Sequence, residues 1–210
     1  MTILSRILKY RIIAIIRGAR PEDVLKIVLA LHEGGINLVE ITINSPQALT
    51  VIEKVSREVY NSIQIGAGTV LDAETARSAI DAGAKFIISP STDIETIQAT
   101  KRLGAVSIPG AFTATEILTA YKYGGDIIKV FPARLGADYI RDLRAPLPYI
   151  PLMPTGGVNL DNIRDFQKAG AVAFGIGSSL VDTRQEVTDK YLGQLKEKAA
   201  RYVSAIAQAE

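Results

Sequence analysis

The sequence has 210 residues, of which 48% are hydrophobic and 22% are charged, and its 24 basic and 22 acidic residues leave a net charge of +2. This composition is typical of a compact globular protein and argues against a disordered chain, while the scattered basic residues argue against a nucleic-acid-binding surface. The absence of cysteine excludes disulfides, thiolate metal sites and cysteine nucleophiles, and no apolar run is long enough to span a membrane.

In chain order, a short amphipathic segment from Thr2 to Lys9 comes first, with apolar residues at helical spacing. A unit then recurs, in which a short apolar strand is followed by a turn and an amphipathic helix. The predicted strands start 21 to 26 residues apart and occupy residues 12–17, 38–44, 64–70, 85–90, 106–112, 127–132, 150–157 and 172–179. A closing helix is predicted over residues 185–208.

The ends of several helices are marked by residues that cap helices. Pro21 is expected in the first turn of the helix after the first strand, and Gly34 at its end. Asp72 is predicted to cap the helix after the third strand. Asn159 or Asp161 is predicted to cap the helix after the seventh strand.

Eight strands that alternate with eight helices predict an α/β protein, a single (β/α)8 TIM barrel with a short N-terminal helix that occupies residues 1–210 as one domain. An open doubly wound sheet is the alternative. That fold usually has five or six strands and a G-x-G-x-x-G turn after the first, and the stretch "IIRGARPEDV" has no such turn.

A lysine, Lys129, lies in the middle of the apolar run "DIIKVFPA". Side chains alternate between the two faces of a strand, so in a barrel Lys129 and Glu40 are both expected in the interior, on opposite strands. They could form a buried ion pair, which contributes little stability because both charges lose their hydration. They could instead be catalytic, since interior polar groups near the carboxyl ends of barrel strands are where catalysis is expected.

If Lys129 and Glu40 are catalytic, an amine and a carboxylate are available to the reaction. Burial lowers the pKa of a lysine, although a nearby Glu40 opposes that shift. A neutral amine on Lys129 can attack a ketone to form a Schiff base, and a carboxylate within reach can carry protons to and from the intermediates.

The single histidine, His32, has no partners for a metal site or a triad and is expected to be an ordinary helix-end residue.

Glycine-rich turns follow the last two predicted strands, in "PTGGV" (154–158) and "GIGSS" (175–179). Backbone N–H groups in these loops form the recurrent phosphate site of barrels, and Ser178 can add a hydroxyl; the alternative is that the glycines only make tight turns. The stretch "GAGTV" (66–70) and its Thr69 could bind a second anionic group. Arg17, at the end of the first strand, could hold a carboxylate or only pair with an acid at the rim.

Taken together and in order, "IIAIIRG", "LVEITIN", "IGAGTVLD", "FIISP", "IPGAFT", "IKVFPA", "PTGGVN" and "GIGSSLV" resemble the KHG/KDPG aldolases. These are class I lyases that cleave 2-keto-3-deoxy-6-phosphogluconate (KDPG) to pyruvate and glyceraldehyde 3-phosphate. The resemblance covers about residues 12 to 181. It implies a cytoplasmic homotrimer that needs no metal and no other cofactor and acts on a phosphorylated 2-keto sugar acid. From the charge distribution and hydropathy, no binding to nucleic acid or membranes is expected.

The resemblance also implies roles for individual residues. Lys129 would form the Schiff base and Glu40 would shuttle protons. The other implied residues bind the substrate: Thr69 and Gly68 for the carboxylate, Phe131, Thr155 and Pro90 in the pocket, and Gly156, Gly157, Gly177 and Ser178 for the phosphate.

The chain departs from many relatives at Asn44, where they have an arginine that contacts the carboxylate. Branches that act on the galactonate epimer, among others, instead resemble this chain in "NSP" and in an arginine at position 17, so we assign the carboxylate contact to Arg17. The substrate is then KDPG, with 4-hydroxy-2-oxoglutarate as a further substrate, or else the galactonate epimer. A sugar-phosphate epimerase or a non-catalytic sensor of sugar phosphates is a more distant alternative.

Overall fold

The computed structural model describes residues 1–59 and 62–207, which form an α/β fold of parallel strands surrounded by helices. The strands are β1 (Ile12–Ile16), β2 (Leu38–Thr42), β3 (Gln64–Gly68), β4 (Phe86–Ile88), β5 (Val106–Ile108), β6 (Gly110–Ala111), β7 (Ile128–Val130), β8 (Leu152–Pro154) and β9 (Phe174–Ile176). The helices are α1 (Ile3–Tyr10), α2 (Pro21–Glu33), α3 (Ala48–Glu58), α4 (Ala73–Asp81), α5 (Ile94–Arg102), α6 (Ala114–Lys122), α7 (Gly136–Arg144), α8 (Ile163–Lys168) and α9 (Asp189–Ala207).

The strands form two parallel sheets, one in the order β5-β4-β3-β2-β1-β9 and one in the order β6-β7-β8. A doubly wound sheet reverses its order in the middle. The larger sheet instead runs in sequence from β5 to β1, and the last strand, β9, pairs with the first. This order argues against the doubly wound alternative.

Two features connect the sheets. The predicted strand over residues 106–112 is divided into β5 and β6 at Pro109, which has no N–H group to donate to a neighbouring strand. Thr155, directly after β8, forms an isolated parallel bridge with Gly175 of β9. The parallel strands therefore curve into at least half of a barrel.

Side chains on the two faces of the strands pack into separate hydrophobic clusters. Val39 and Ile41 of β2 face outward and pack with the helices, whereas Leu38 faces the interior. The interior cluster includes residues from most of the strands, and α1 covers it with the fully buried Ile7. The alternation predicted for β2 is confirmed, and the interior positions of β2 and β7 beyond this cluster carry the polar side chains of Glu40, Thr42 and Lys129.

Most of the predicted helix ends are confirmed. Pro21 is the first residue of α2, Gly34 is its C-cap, and Asp72 caps α4 by accepting a hydrogen bond from the N–H of Thr75 at 2.7 Å. The predicted cap of α8 is wrong. The Asn159 side chain accepts from backbone N–H groups of the turn before the helix, and α8 begins only at Ile163.

The predicted closing helix begins four residues later than expected, as α9, and its predicted last residue, Gln208, lies outside the described residues. Tyr191, Leu195 and Tyr202 of α9 are buried as the spacing predicts.

His32 lies near the end of α2, where its ring nitrogen Nδ1 is 2.7 Å from Oδ1 of Asn37. Among the described residues, no helix combines the length and the apolar character that crossing a bilayer requires.

Candidate active site

Lys129 is the central residue of β7, which pairs with β6 on one side and β8 on the other. The residue is only 4% exposed, and its Nζ lies 4.7 Å from the centroid of the Phe131 ring. Burial lowers the pKa of Lys129 from its ordinary value of 10.5; the charge of Glu40 opposes this shift and that of Arg17 adds to it. The site therefore favours a neutral amine more than water does.

Glu40 lies in β2, between Ile15 of β1 and Gly66 of β3, and is 1% exposed. Burial raises the pKa of Glu40 above its ordinary value of 4.5, and the positive charges of Lys129 and Arg17 oppose this shift. Neither carboxylate oxygen has a hydrogen-bond partner among the described residues. A buried carboxylate left unpaired is costly and is typical of a group kept for chemistry.

Glu40 and Lys129 share the interior, as predicted, and each shifts the pKa of the other. They form no direct hydrogen bond. Among the described residues the two groups therefore interact through their charges and not through a direct bond.

Room for the Glu40 carboxylate comes from a glycine in the neighbouring strand. A Cβ atom on Gly68 would lie 1.6 Å from Oε1 of Glu40, so no larger residue fits. Interior glycines make similar room elsewhere: a Cβ on Gly66 would lie 2.1 Å from the Phe86 ring, and one on Gly175 would lie 2.3 Å from Oγ1 of Thr155. The first and last glycines of "GAG" thus accommodate neighbouring side chains, a function that the sequence analysis missed.

Arg17 follows β1 and is held by two neighbours from the adjacent strand ends. Its Nη1 donates to Oδ1 of Asn44 at 3.0 Å, and its Nη2 donates to Oγ1 of Thr69 at 3.2 Å. Thr69 has a φ of 58°, a left-handed backbone conformation that costs a non-glycine residue about 1–2 kcal/mol. The structure thus brings together Arg17, Thr69 and Gly68, for which the sequence predicts a carboxylate site.

A cavity of about 270 Å³ opens above Lys129. Eight of the predicted site residues line it: Arg17, Lys129, Phe131, Thr155, Gly156, Gly157, Gly177 and Ser178. Glu40, Gly68 and Thr69 are not among its lining residues, and neither is Pro90, whose backbone packs beside Gly110. The hydroxyl of Thr155 is buried and has no hydrogen-bond partner among the described residues, so it is free to bind a ligand.

The two glycine-rich loops meet on one side of this cavity. The hydroxyl of Ser179 donates to the carbonyl of Val158 at 2.6 Å and joins the loops. Among the described residues, the N–H groups of Gly157, Gly177 and Ser178 donate to no backbone carbonyl. These N–H groups are available to an anion, as the sequence analysis predicts.

Several cavity residues were not predicted. Ile15, Arg134, Val158, Asn159 and Ser179 also line it. Arg134 could have been found, because it follows Lys129 and Phe131 at the end of the same strand, where site residues gather in this fold. No acidic residue is among the lining residues described, so the cavity wall carries positive charge only.

Among the described residues, no group of three or more His, Cys, Asp or Glu side chains is arranged to hold a metal ion. The polar side chains that line the cavity are instead one amine, two guanidinium groups and the hydroxyls of Thr155, Ser178 and Ser179. Loop N–H groups add further donors, and the Glu40 carboxylate is buried nearby, where the charge of Lys129 acts on it. That set suits an anionic ligand with a reactive carbonyl group.

Comparisons with known proteins point to one family of enzymes. The family model for KDPG and KHG aldolase matches residues 3–192. The 2-dehydro-3-deoxy-6-phosphogalactonate aldolase of Escherichia coli is 34% identical over 203 residues, which cover 96% of this chain and 97% of that protein. The 2-dehydro-3-deoxy-phosphogluconate aldolase of Pseudomonas aeruginosa is 37% identical over 158 residues, 74% of this chain and 71% of that protein. A solved structure described as native KDPGal aligns with a TM-score of 0.88 at 34% identity and covers 94% of this chain and 95% of that one.

Proposed function

The chain belongs to the KDPG and KHG aldolase family, and we propose that it is a class I aldolase that cleaves KDPG to pyruvate and glyceraldehyde 3-phosphate. The observation that carries the proposal is Lys129, a nearly buried amine with a lowered pKa at the base of a cavity whose wall is positively charged. The buried carboxylate of Glu40 supplies the second group that the reaction needs.

In the proposed reaction, the neutral amine of Lys129 adds to the C2 ketone of the substrate. Loss of water from the resulting carbinolamine gives a protonated imine, which withdraws electrons from C3. Removal of the proton from the C4 hydroxyl breaks the C3–C4 bond, releases the aldehyde and leaves an enamine. Protonation of the enamine at C3 and hydrolysis of the imine then release pyruvate and restore the amine.

Glu40 is the proposed proton carrier in these steps, directly or through one water molecule. Burial raises the pKa of Glu40 above its ordinary value of 4.5, in the direction that makes a carboxyl group a better general base and a group able to return the proton. The absence of hydrogen-bond partners among the described residues leaves both of its oxygens available.

The rest of the substrate would be held at its two ends. Arg17, Thr69 and the backbone of Gly68 are proposed to hold the carboxylate next to the ketone. The phosphate is proposed to bind the N–H groups of Gly156, Gly157, Gly177 and Ser178. Phe131, Thr155 and Pro90 are proposed as pocket residues. Such binding at both ends would orient the C3–C4 bond for cleavage.

Trapping with borohydride tests the proposal. Incubation with pyruvate and borohydride should reduce the imine to a stable secondary amine, and mass spectrometry of peptides should place the adduct on Lys129. Lys129→Met should give no adduct. An adduct on another lysine, or none with the wild-type protein, would contradict the proposal and would favour the epimerase or sensor alternatives, which need no imine.

The galactonate epimer of KDPG is the second candidate substrate. The observation in its favour is the pairing of Arg17 with Asn44, the combination that resembles the galactonate branch of the family. Comparing kcat/KM for the two epimers, with released pyruvate measured through lactate dehydrogenase, decides between them. Turnover of 4-hydroxy-2-oxoglutarate, the further proposed substrate, can be measured in the same assay.

We further propose that the two sheets close into a single (β/α)8 barrel domain over residues 1–210. The Thr155–Gly175 bridge and the continuity of β5 and β6 support this closure.

We also propose that the protein is cytoplasmic and forms a homotrimer. Light scattering on the purified protein would test the trimer, and a monomeric mass would contradict it.

A further inference from the structure

Arg134 lies in the turn that follows β7, five residues after Lys129, and lines the same cavity. The turn is tied to the glycine-rich loop after β8, because the N–H of Ala133 lies 2.9 Å from the carbonyl oxygen of Thr155 and 3.0 Å from that of Gly156. A Cβ on Gly157 would lie 3.5 Å from Cγ of Arg134, so the arginine stem runs beside that glycine. Arg134 is therefore next to the predicted phosphate loops.

Three cations line the cavity, and two of them are already engaged. Arg17 is held by Asn44 and Thr69, and Lys129 is nearly buried with its Nζ over the Phe131 ring. Among the described residues, Arg134 has no ion pair and no side-chain hydrogen bond, and no acidic residue lines the cavity near it. Its charge is available to a ligand.

The loops themselves offer only neutral donors, namely N–H groups and the hydroxyl of Ser178. A phosphate dianion in such a site gains from a guanidinium group, which can donate two parallel hydrogen bonds to its oxygens. The carboxylate end of the substrate is assigned to Arg17, next to Thr69. This division leaves Arg134 for the phosphate end.

We propose that Arg134 binds the phosphate group of the substrate and thereby determines the preference of this enzyme for phosphorylated over unphosphorylated 2-keto-3-deoxy sugar acids. The proposal rests on the aldolase function proposed above. It adds a charged residue to a phosphate site that is otherwise built from backbone groups and one hydroxyl.

The test compares Arg134→Ala with Arg102→Ala, a matched control that removes an exposed arginine from the end of α5, outside the cavity. The first measurement is the ratio of kcat/KM for the phosphorylated substrate to that for its unphosphorylated counterpart. The second is the dissociation constant of inorganic phosphate, measured by calorimetry on the protein without substrate. Arg134→Gln serves as a second variant if Arg134→Ala does not fold.

We expect the ratio of the two kcat/KM values to fall about tenfold in Arg134→Ala, and the dissociation constant for phosphate to rise by a similar factor. This is the effect of losing one charge-assisted hydrogen bond that is partly screened by solvent. Arg102→Ala should stay within about twofold of wild type in both measurements. Arg134→Lys, which keeps the charge but not the planar fork, should fall between wild type and Arg134→Ala.

If both the ratio and phosphate binding in Arg134→Ala equal those of wild type, the proposal is overturned and Arg134 is only a solvated surface residue. The same holds if Arg102→Ala shows an equal loss, because the effect is then one of overall charge. Trapping of pyruvate on Lys129 tests the aldolase function separately. Without that adduct the aldolase function fails, while the calorimetric measurement still decides whether Arg134 binds phosphate.

Discussion

Substitution of Gly68 by alanine should inactivate the enzyme through Glu40. The new Cβ would lie 1.6 Å from Oε1 of Glu40, 2.3 Å from its Cδ and 2.5 Å from its Cγ. Since ordinary contacts between such atoms are about 3.4–4 Å, the carboxylate must move by about 2 Å. A displacement of 1 Å in a catalytic group can cost about 100-fold in rate, so we expect kcat to fall by at least that factor.

Gly66→Ala provides the matched control. It adds the same methyl group to the same strand, where it would clash with Phe86 instead of with Glu40. Both variants overpack the interior, at a cost of about 1–3 kcal/mol, which lowers the Tm by about 2–4 °C per kcal/mol in a chain of this length. After correction for the fraction of protein that is folded, kcat should fall in Gly68→Ala and should stay close to that of wild type in Gly66→Ala.

The assay is pyruvate release from the phosphorylated substrate, coupled to lactate dehydrogenase, at a temperature well below the Tm of each variant. Thermal unfolding is measured in parallel to establish the folded fraction. A folded Gly68→Ala protein that keeps kcat within about twofold of wild type would show that the Glu40 carboxylate is not needed where the structure places it. The proposed proton carrier would then be wrong.

Four further predictions concern the Lys129–Glu40 pair, stability against pH, the phosphate loops and metal ions. Among the described residues, Glu40 carries the one charge that raises the pKa of Lys129. Glu40→Gln should therefore move the acid limb of pyruvate trapping by borohydride to lower pH; a move to higher pH would contradict the assignment. Burial raises the pKa of Glu40, so the folded protein still holds this proton at pH values above 4.5, where the unfolded protein has lost it. The free energy of unfolding should therefore fall as the pH rises from 4.5 to the raised pKa of Glu40. Tm measured against pH should lack this slope in Glu40→Gln. Ser178→Asp should raise KM at least tenfold for the phosphorylated substrate and far less for the unphosphorylated one, because a carboxylate repels phosphate; equal effects would place the phosphate elsewhere. Activity should survive EDTA, and its loss would indicate a metal-dependent aldolase.

The placement of Lys129 and Glu40 in the interior follows from the sequence because the side chains of a strand alternate with a period of two. A polar residue flanked by outward-facing apolar residues must then face inward, whatever the details of the packing. Helix ends marked by Pro21, Gly34 and Asp72 are predictable for a similar reason, since they depend on backbone geometry within a few residues. Both kinds of prediction rest on local rules that the rest of the fold does not alter.

Features that depend on contacts between distant segments were not predictable in this way. The space that Gly68 leaves for Glu40 depends on the register between β2 and β3, and the absence of a direct bond between Glu40 and Lys129 depends on the width of the interior. The start of α8 was misjudged because Asn159 caps a turn before the helix, and the same residue type favours both structures. The position of Arg134 at the end of a strand could be predicted from the sequence. That no described residue pairs with its side chain could not.

The arrangement of Lys129 and Glu40 would allow one site both to form an imine and to move protons, as the proposed reaction requires. In water their ordinary pKa values of 10.5 and 4.5 differ by 6.0, so passing a proton from the ammonium to the carboxylate costs about 8 kcal/mol. Burial is the largest influence on both groups and moves the two pKa values towards each other, while their mutual attraction only partly opposes it. The cost of proton transfer is therefore lower in the protein than in water. A neutral amine able to attack a ketone and a carboxylic acid able to return the proton thus become accessible together, and an exposed pair would have neither.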